Sequence, residues 1–319
     1  MATTRKLPVL ALLAILPIVF PQGAEGVNVL EVAKDNGASM FASMAGQCPW
    51  LANLLENSKE PNGFTVFAFN DKAYSESPPA FRKLIANTQT LQWALEYHVA
   101  LGPTKSQDIK DNLLVTSLYP SPTSGASLPL QFIRTNIYHV YENDAIHRQV
   151  VTASGAQIVA ADKIASNGIV HIIDKVMFPL PTGADVVEFI RDDGRFSTLY
   201  GFLEKANLTQ ALMTDPSRPL TVFAPNNQAF TNIPKPIMDK LMTNATYLQD
   251  VLEYHVAMGA YYAAGLYDNQ TLMSLYRKPL LVQRGVGGIY VQDAKVLQAD
   301  NTVSNGVVHE ISAVMIPYK

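Results

Sequence analysis

The chain has 319 residues, 48% of them hydrophobic and only 16% charged, with a formal net charge of -3 and a pI near 6.1. That is enough apolar material for two ordinary cores, with no compositional sign of disorder. A mildly acidic chain without a Lys/Arg cluster argues against a nucleic-acid partner, which needs a basic face to neutralise phosphates.

At the start, Arg5 and Lys6 precede an apolar run from Leu7 to Phe20, and the small residues Ala24 and Gly26 stand at the −3 and −1 positions of a cleavage site. This pattern predicts a secretory signal peptide over residues 1–26, with a mature chain from Val27. The run is about 14 residues long and carries Pro8 and Pro17, which is short of the roughly 20 needed to span a bilayer. A secreted chain with one cysteine, Cys48, has no internal disulfide, so each domain depends on its core; the thiol is either buried and free or paired with another chain.

From Val27 to about Leu55, Val29, Val32, Ala33, Met40, Phe41, Met44, Leu51, Leu54 and Leu55 recur at helical spacing, with Gln47 to Trp50 as a turn. The run Phe64–Phe69 is short, β-rich and bounded by turn residues, hence a strand. Next, Leu91, Ala94, Leu95 and His98 lie at i, i+3, i+4 and i+7, so His98 falls on the apolar face of its helix. Alternating apolar residues from Ile133 to Val151 predict further strands, and Ser166-Asn167-Gly168-Ile169-Val170-His171 reads as a tight turn at which Asn and Gly tolerate positive φ, followed by a closing strand.

The chain then repeats itself. Val29-Leu30-Glu31 is answered by Val186-Val187-Glu188, Thr65–Asn70 by Thr221–Asn226, Glu96-Tyr97-His98-Val99 by Glu253-Tyr254-His255-Val256, and the Asn-Gly block by Ser304–His309. Leu248, Val251, Leu252 and His255 copy the helical spacing, Leu280–Val291 copies the strand pattern around a turn at Gly285, Gly287 and Gly288, and His309 shares a strand face with Val307, Ile311 and Ala313. The offset stays near 157 residues through the early blocks and falls to 138 at the last, which puts 19 extra residues in the first copy, expected in the Pro/Ser/Gly-rich stretch from Tyr119 to Leu130. The organisation expected is a signal peptide (1–26), a first domain (27–179), a two-proline linker (180–184) too short to let the domains drift apart, and a second domain (185–319). No hydrophobic tail follows Pro317, so no glycolipid anchor is expected.

Chemistry is sparse. Two histidines per copy, His98 with His171 and His255 with His309, are short of the three or four ligands that zinc needs, and no third ligand recurs, so neither metal nor cofactor is expected. Neither a nucleophile elbow nor a phosphate-cradling glycine loop occurs, and a repeated scaffold without a repeated constellation reads as a binding module and not an enzyme. Asn-x-Ser/Thr sequons at Asn207, Asn244 and Asn269, all in the second copy, are candidate glycosylation sites, which leaves the first domain's surface the freer for protein contact.

Thr221–Phe230, Tyr254-His255 and Ser304–His309, in that order and spacing, resemble the fasciclin-domain family, and the resemblance covers essentially everything after the signal peptide. It implies an α+β fold with two tandem domains, each a wedge of β-sheet with helices packed against it, serving cell adhesion in the extracellular matrix. It also implies partners: matrix proteins of collagen or fibronectin type, and integrins. The Tyr-His pair implicated in adhesion falls here on Tyr97, His98, Tyr254 and His255, and the aspartate of an integrin-implicated Asp-Ile pair falls on Asp162 and Asp300. Lys163 and Asn301 replace the isoleucine, no Arg-Gly-Asp occurs, and Phe69 stands where the family has the proline seen at Pro225. The apolar face of the two helical histidines favours a neutral, hydrogen-bonded core imidazole over a ligand contact. The alternative function is a soluble carrier of a lipophilic ligand such as a carotenoid, which some fasciclin-type proteins bind.

Overall fold

A computed structural model of the chain describes residues 26–57, 63–77, 79–120, 130–142, 145–178, 184–213 and 216–317. Residues 1–25 of the expected signal peptide, 180–183 of the linker and 121–129 of the Tyr119–Leu130 stretch lie outside the described residues.

The first half runs α1 (Val29–Asp35), α2 (Ser39–Gly46), α3 (Pro49–Asn57), β1 (Phe64–Phe69), α4 (Asp71–Ser75), α5 (Pro79–Leu84), α6 (Thr88–Tyr97), β2 (Val99–Leu101), β3 (Leu113–Pro120), β4 (Leu130–Glu142), β5 (Ala145–Ala153), β6 (Ala156–Ala165) and β7 (Gly168–Ile173). The second runs α7 (Val186–Asp192), α8 (Ser197–Lys205), α9 (Thr209–Leu212), β8 (Leu220–Pro225), α10 (Asn227–Thr231), α11 (Lys235–Thr243), α12 (Ala245–Tyr254), β9 (Val256–Met258), β10 (Thr271–Met273), β11 (Pro279–Gly285), β12 (Gly288–Val291), β13 (Ala294–Val303) and β14 (Gly306–Ile311).

The two halves start alike because their first helices carry the same cap. Asn28 accepts from the amides of Leu30 and Glu31 while Glu31 reaches back to the Asn28 amide, and Asp185 with Glu188 repeats this capping box. The matched glutamates of the first repeated block are therefore helix starts.

In each half the block strand pairs in parallel with the closing strand, β1 with β7 and β8 with β14. All four are buried along their whole length, as expected of parallel strands covered on both faces. The other neighbours are antiparallel, and in the first domain β3 returns to β2 through Ala100 and Ser117, which closes the seven strands into a barrel. The second domain keeps the order β10-β11-β12-β13-β14-β8-β9, with a single bridge from Ala257 to Ser274 across the gap. One core centres on Phe41, Phe67, Leu95 and Ile172, and its counterpart on Phe196, Phe202, Val222 and Val308.

Two expectations change here. Neither Asn167 nor Asn305 adopts positive φ; the side chain, and not the backbone, is what each turn uses. Asn167 accepts from the Val29 amide at 3.0 Å and donates to the Leu55 carbonyl at 2.5 Å, and Asn305 does the same with Val186 and Leu212, both at 2.9 Å. Each asparagine thus ties a first helix and a later helix to the sheet. The following glycine is needed for closeness, because a Cβ on Gly168 would lie 2.4 Å from the Phe64 carbonyl oxygen and one on Gly306 only 1.9 Å from that of Leu220.

The second change concerns the extra residues of the first copy. They are not confined to one loop: β4 and β5 have 13 and 9 residues where β11 and β12 have 7 and 4. Register places Tyr138 and Val150 at the level of Gly285 and Gly288, where the second domain's hairpin already turns. The longer hairpin carries on from there against the second domain.

Candidate functional site

Each repeated polar residue occupies a defined internal place. His98 is fully buried at the end of α6; its Nδ1 donates to the Ala94 carbonyl at 2.7 Å and its Nε2 accepts from the Met177 amide at 3.0 Å. His255, 2% exposed, repeats this with Val251 at 2.7 Å and Met315 at 2.9 Å. An imidazole that donates through one nitrogen and accepts through the other is neutral, and burial depresses the pKa of both histidines to about 4. Each ring thereby ties a helix end to the segment after the closing strand.

His171 and His309 form a second pair of ties. Each stacks on a phenylalanine of the neighbouring block strand, Phe67 and Phe223, at 5.4 Å between centroids. Nε2 donates to the Thr104 carbonyl in one domain and to that of Tyr261 in the other, while Nδ1 accepts the amide of Asp162 or Asp300 at 3.2 Å. Burial again lowers both pKa values.

Asp162 and Asp300 sit at positive φ, 55° and 64°, within irregular pairing of β6 and β13. The bulge turns each carboxylate onto the 3₁₀ turn after the second strand of its domain. Asp162 accepts from the Ser106 amide at 2.8 Å and from the Ser106 hydroxyl, while Asp300 accepts from the Ala263 amide at 2.7 Å. Desolvation works against ionisation of Asp162, but the two Ser106 bonds outweigh it and hold its pKa below the usual carboxylate value. Thr65 and Thr221 complete the arrangement, each donating to a glycine carbonyl, Gly102 or Gly259, at 2.7 Å.

Tyr97 is buried, donates to the Phe132 carbonyl at 3.0 Å and shares a hydrogen bond with Ser154, and burial lifts its pKa to about 12. Tyr254 is buried as well, donating to the Pro279 carbonyl at 3.2 Å and accepting from Gln292 at 2.7 Å. The structure therefore brings His98 near Phe41 and Phe69, and Asp162 near His171, but it gathers none of Tyr97, His98, Tyr254 or His255 on the surface. Cys48 is buried and free. The three sequon asparagines are exposed; Asn207 and Asn269 take positive φ, and Asn244 caps α12 through the Tyr247 amide.

What motif reasoning misses is the seam between the domains. The Tyr138 hydroxyl donates to the Ala260 carbonyl at 2.8 Å and accepts the Tyr262 amide at 3.1 Å. Tyr262 lies against Gly155 and Tyr138 against Gly265 so closely that a Cβ on either glycine would come within 2.5 Å of the facing ring. Val150 and Val307 complete this small core. Arg134, 2% exposed, donates to the carbonyls of Pro216 and Ser304, with Nε and Nη1 unpartnered among the described residues. Lys175 meets Asp300 at 2.9 Å. The signal for these residues lies in departures from the repeat, since Tyr138 stands where the second copy has Gly285 and Tyr262 where the first has Lys105.

Among the described residues, no three His, Cys, Asp or Glu side chains converge as a metal centre would require, and no helix is long and apolar enough to cross a membrane. Two copies of a seven-stranded sheet with helices, each locked by the same histidine, asparagine and aspartate ties, define a tandem-domain protein.

The family pattern described as "Fasciclin domain" matches residues 37–179 and again 194–317, and the chain belongs to that family. It is 27% identical over 267 residues to transforming growth factor-beta-induced protein ig-h3 of Sus scrofa, covering 83% of this chain and 36% of that protein. It is 24% identical over 269 residues to human periostin, covering 83% of this chain and 30% of that protein. The chain thus spans about a third of the length of these relatives. A structure of a FAS1 domain pair from the insect cell adhesion molecule fasciclin I aligns over 90% of this chain and 95% of its own, with TM-score 0.41 and 20% identity.

Proposed function

We infer that this is a secreted, non-enzymatic adhesion or matrix protein acting through protein–protein contacts of its two domains. The observation that carries the reading is that the residues common to both domains are taken up by internal hydrogen bonds. Contact with partners then falls to the outer surface, which differs between the copies. Exposed aromatic side chains on the first domain, Trp50, Trp93 and Phe132, supply contact area where no sequon stands. Weak contacts of this kind gain strength when a matrix displays many copies. Membership of a family used in adhesion, and the signal-peptide pattern over 1–26, support export and partners of collagen, fibronectin or integrin type.

Asp162 and Asp300 act in this reading as loop clamps, so an integrin contact would use other surface. Glycans at Asn207, Asn244 and Asn269 would shield the second domain. Neither of two clefts among the described residues, of about 250 and 270 Å³, reaches the roughly 300–1,000 Å³ of ordinary ligand pockets, so neither of them carries the carrier alternative. The test is attachment of the intact protein, made in a eukaryotic secretory host, to immobilised collagen, fibronectin and integrin ectodomains. Saturable binding weakened by Trp50→Ser or Trp93→Ser supports the reading; no binding to any of them, or material that purifies coloured with bound pigment, defeats it.

A further inference from the structure

The 270 Å³ cleft lies along the seam, between β4 of the first domain and the segment from Gly259 to Gln270 of the second. Its wall is aromatic: Tyr141, 44% exposed, faces Tyr267 with ring centroids 6.0 Å apart, and Tyr261 lies beside them. The hydroxyls of these three tyrosines have no hydrogen-bond partner among the described residues. Gln270, which lines the cleft, accepts the Tyr267 amide through Oε1 at 3.2 Å, so its Nε2 is the end able to donate to a ligand. Asp111 is held rigid by Asn136 and the Ile137 amide on Oδ1, both at 3.1 Å, and by Asn112 on Oδ2 at 2.9 Å. Its second oxygen keeps capacity to accept.

We propose that this interdomain cleft binds a terminal unit of a neutral saccharide. A sugar ring offers an apolar C–H face and a rim of hydroxyls, so it needs a flat aromatic surface beside groups that both donate and accept. Phenol hydroxyls do both, an amide NH₂ donates and a carboxylate accepts. Rings of tyrosine also give contact area at low entropic cost, and Asp111 is preorganised by its three bonds. A lipid chain has no use for this polar edge. The lining carries a carboxylate and neither lysine nor arginine, which selects against sulfated or uronate-rich glycans. The site belongs to the domain pair, because neither half alone supplies both Tyr141 and Tyr267. It does not depend on the adhesion reading.

The test titrates the intact protein with neutral hexose and N-acetylhexosamine oligomers, with heparin and with a proline-rich peptide, following heat and tyrosine fluorescence. At least one neutral oligosaccharide should bind, and Tyr141→Ala and Tyr267→Ala should each weaken it about five- to tenfold, as loss of one stacked ring implies. Gln270→Ala should weaken it too. An unchanged melting temperature identifies variants that remain folded; where Tyr267→Ala is unstable, Tyr267→Phe, which keeps the ring and removes only the hydroxyl assigned to the sugar's rim, should still weaken binding. Failure of every neutral oligosaccharide to bind, binding indifferent to the three substitutions, or preference of the cleft for heparin or the peptide overturns the proposal.

Discussion

The hydroxyl of Tyr138 sits between the carbonyl of Ala260 and the amide of Tyr262, so one side chain of the first domain satisfies two backbone groups of the second. Tyr262 in turn packs flat enough against Gly155 to leave no room for a methyl group. Both tyrosines belong to features that the duplication does not share, and they make the two halves one unit.

Tyr138→Phe should therefore loosen the pair without unfolding either half. Two buried backbone groups lose their partner, at about 1–3 kcal/mol for each group left unsatisfied. Scanning calorimetry should resolve one broadened or two separate transitions where the native protein gives a tighter one; an unchanged profile would refute the lock. Gly155→Ala, whose Cβ would lie 2.3 Å from the Tyr262 ring, should act the same way.

Acid should weaken the fold before the carboxylates are titrated. His98 and His255 have pKa values near 4 when folded against an ordinary 6.5. Above pH 6.5 both states are neutral and no stability is lost; as pH falls from 6.5 to 4 the unfolded chain takes up protons that the native one refuses. The loss amounts to about 3 kcal/mol per histidine at the acid end. Urea unfolding at pH 7.5 and pH 5 should differ by several kcal/mol, and a flat profile would contradict the buried neutral imidazoles.

His255→Ala removes the tie between α12 and Met315. The second domain's melting temperature should fall, since the Met315 amide is left buried and unpaired at a cost of about 1–3 kcal/mol. Any loss of cell attachment should track that loss of stability. Attachment lost at unchanged stability would show that His255 meets a partner directly.

The Asn-Gly turn offers a sharper contrast. Asn305→Ala breaks two hydrogen bonds of a residue 1% exposed, with an expected cost of about 2–4 kcal/mol. Gly306→Ala should be worse, because its Cβ would stand 1.9 Å from a strand carbonyl that cannot move without breaking the parallel pairing. Circular dichroism and urea titration of both variants should rank them in that order.

Sugar removal tests the sequons. In a eukaryotic secretory host, Asn207→Gln, Asn244→Gln and Asn269→Gln should each remove one glycan's mass. Asn244→Gln should also cost about 1 kcal/mol, because it caps α12. Protein that emerges without any glycan would end this expectation.

The duplication, the short strands Phe64–Phe69 and Leu220–Ala224, the second of which runs one residue further in the fold, and the placing of His98 and His255 toward a core could be read from the chain alone. Each is written in local periodicity: residues four apart share a helix face whatever the rest of the protein does. The same local logic misplaced the role of Asn167 and Asn305, whose turn asks nothing of their backbone but whose side chains reach helices more than 90 residues away. It also placed the extra residues of the first copy in a loop, although a strand lengthened at Tyr138 looks no different in sequence from one that ends there. Only the tertiary structure decided that Asp162 and Asp300 clamp a turn, that Tyr97 and Tyr254 are buried, and that the longer hairpin seats the second domain. Those outcomes depend on which distant backbone groups lack a partner, and periodicity carries no record of them.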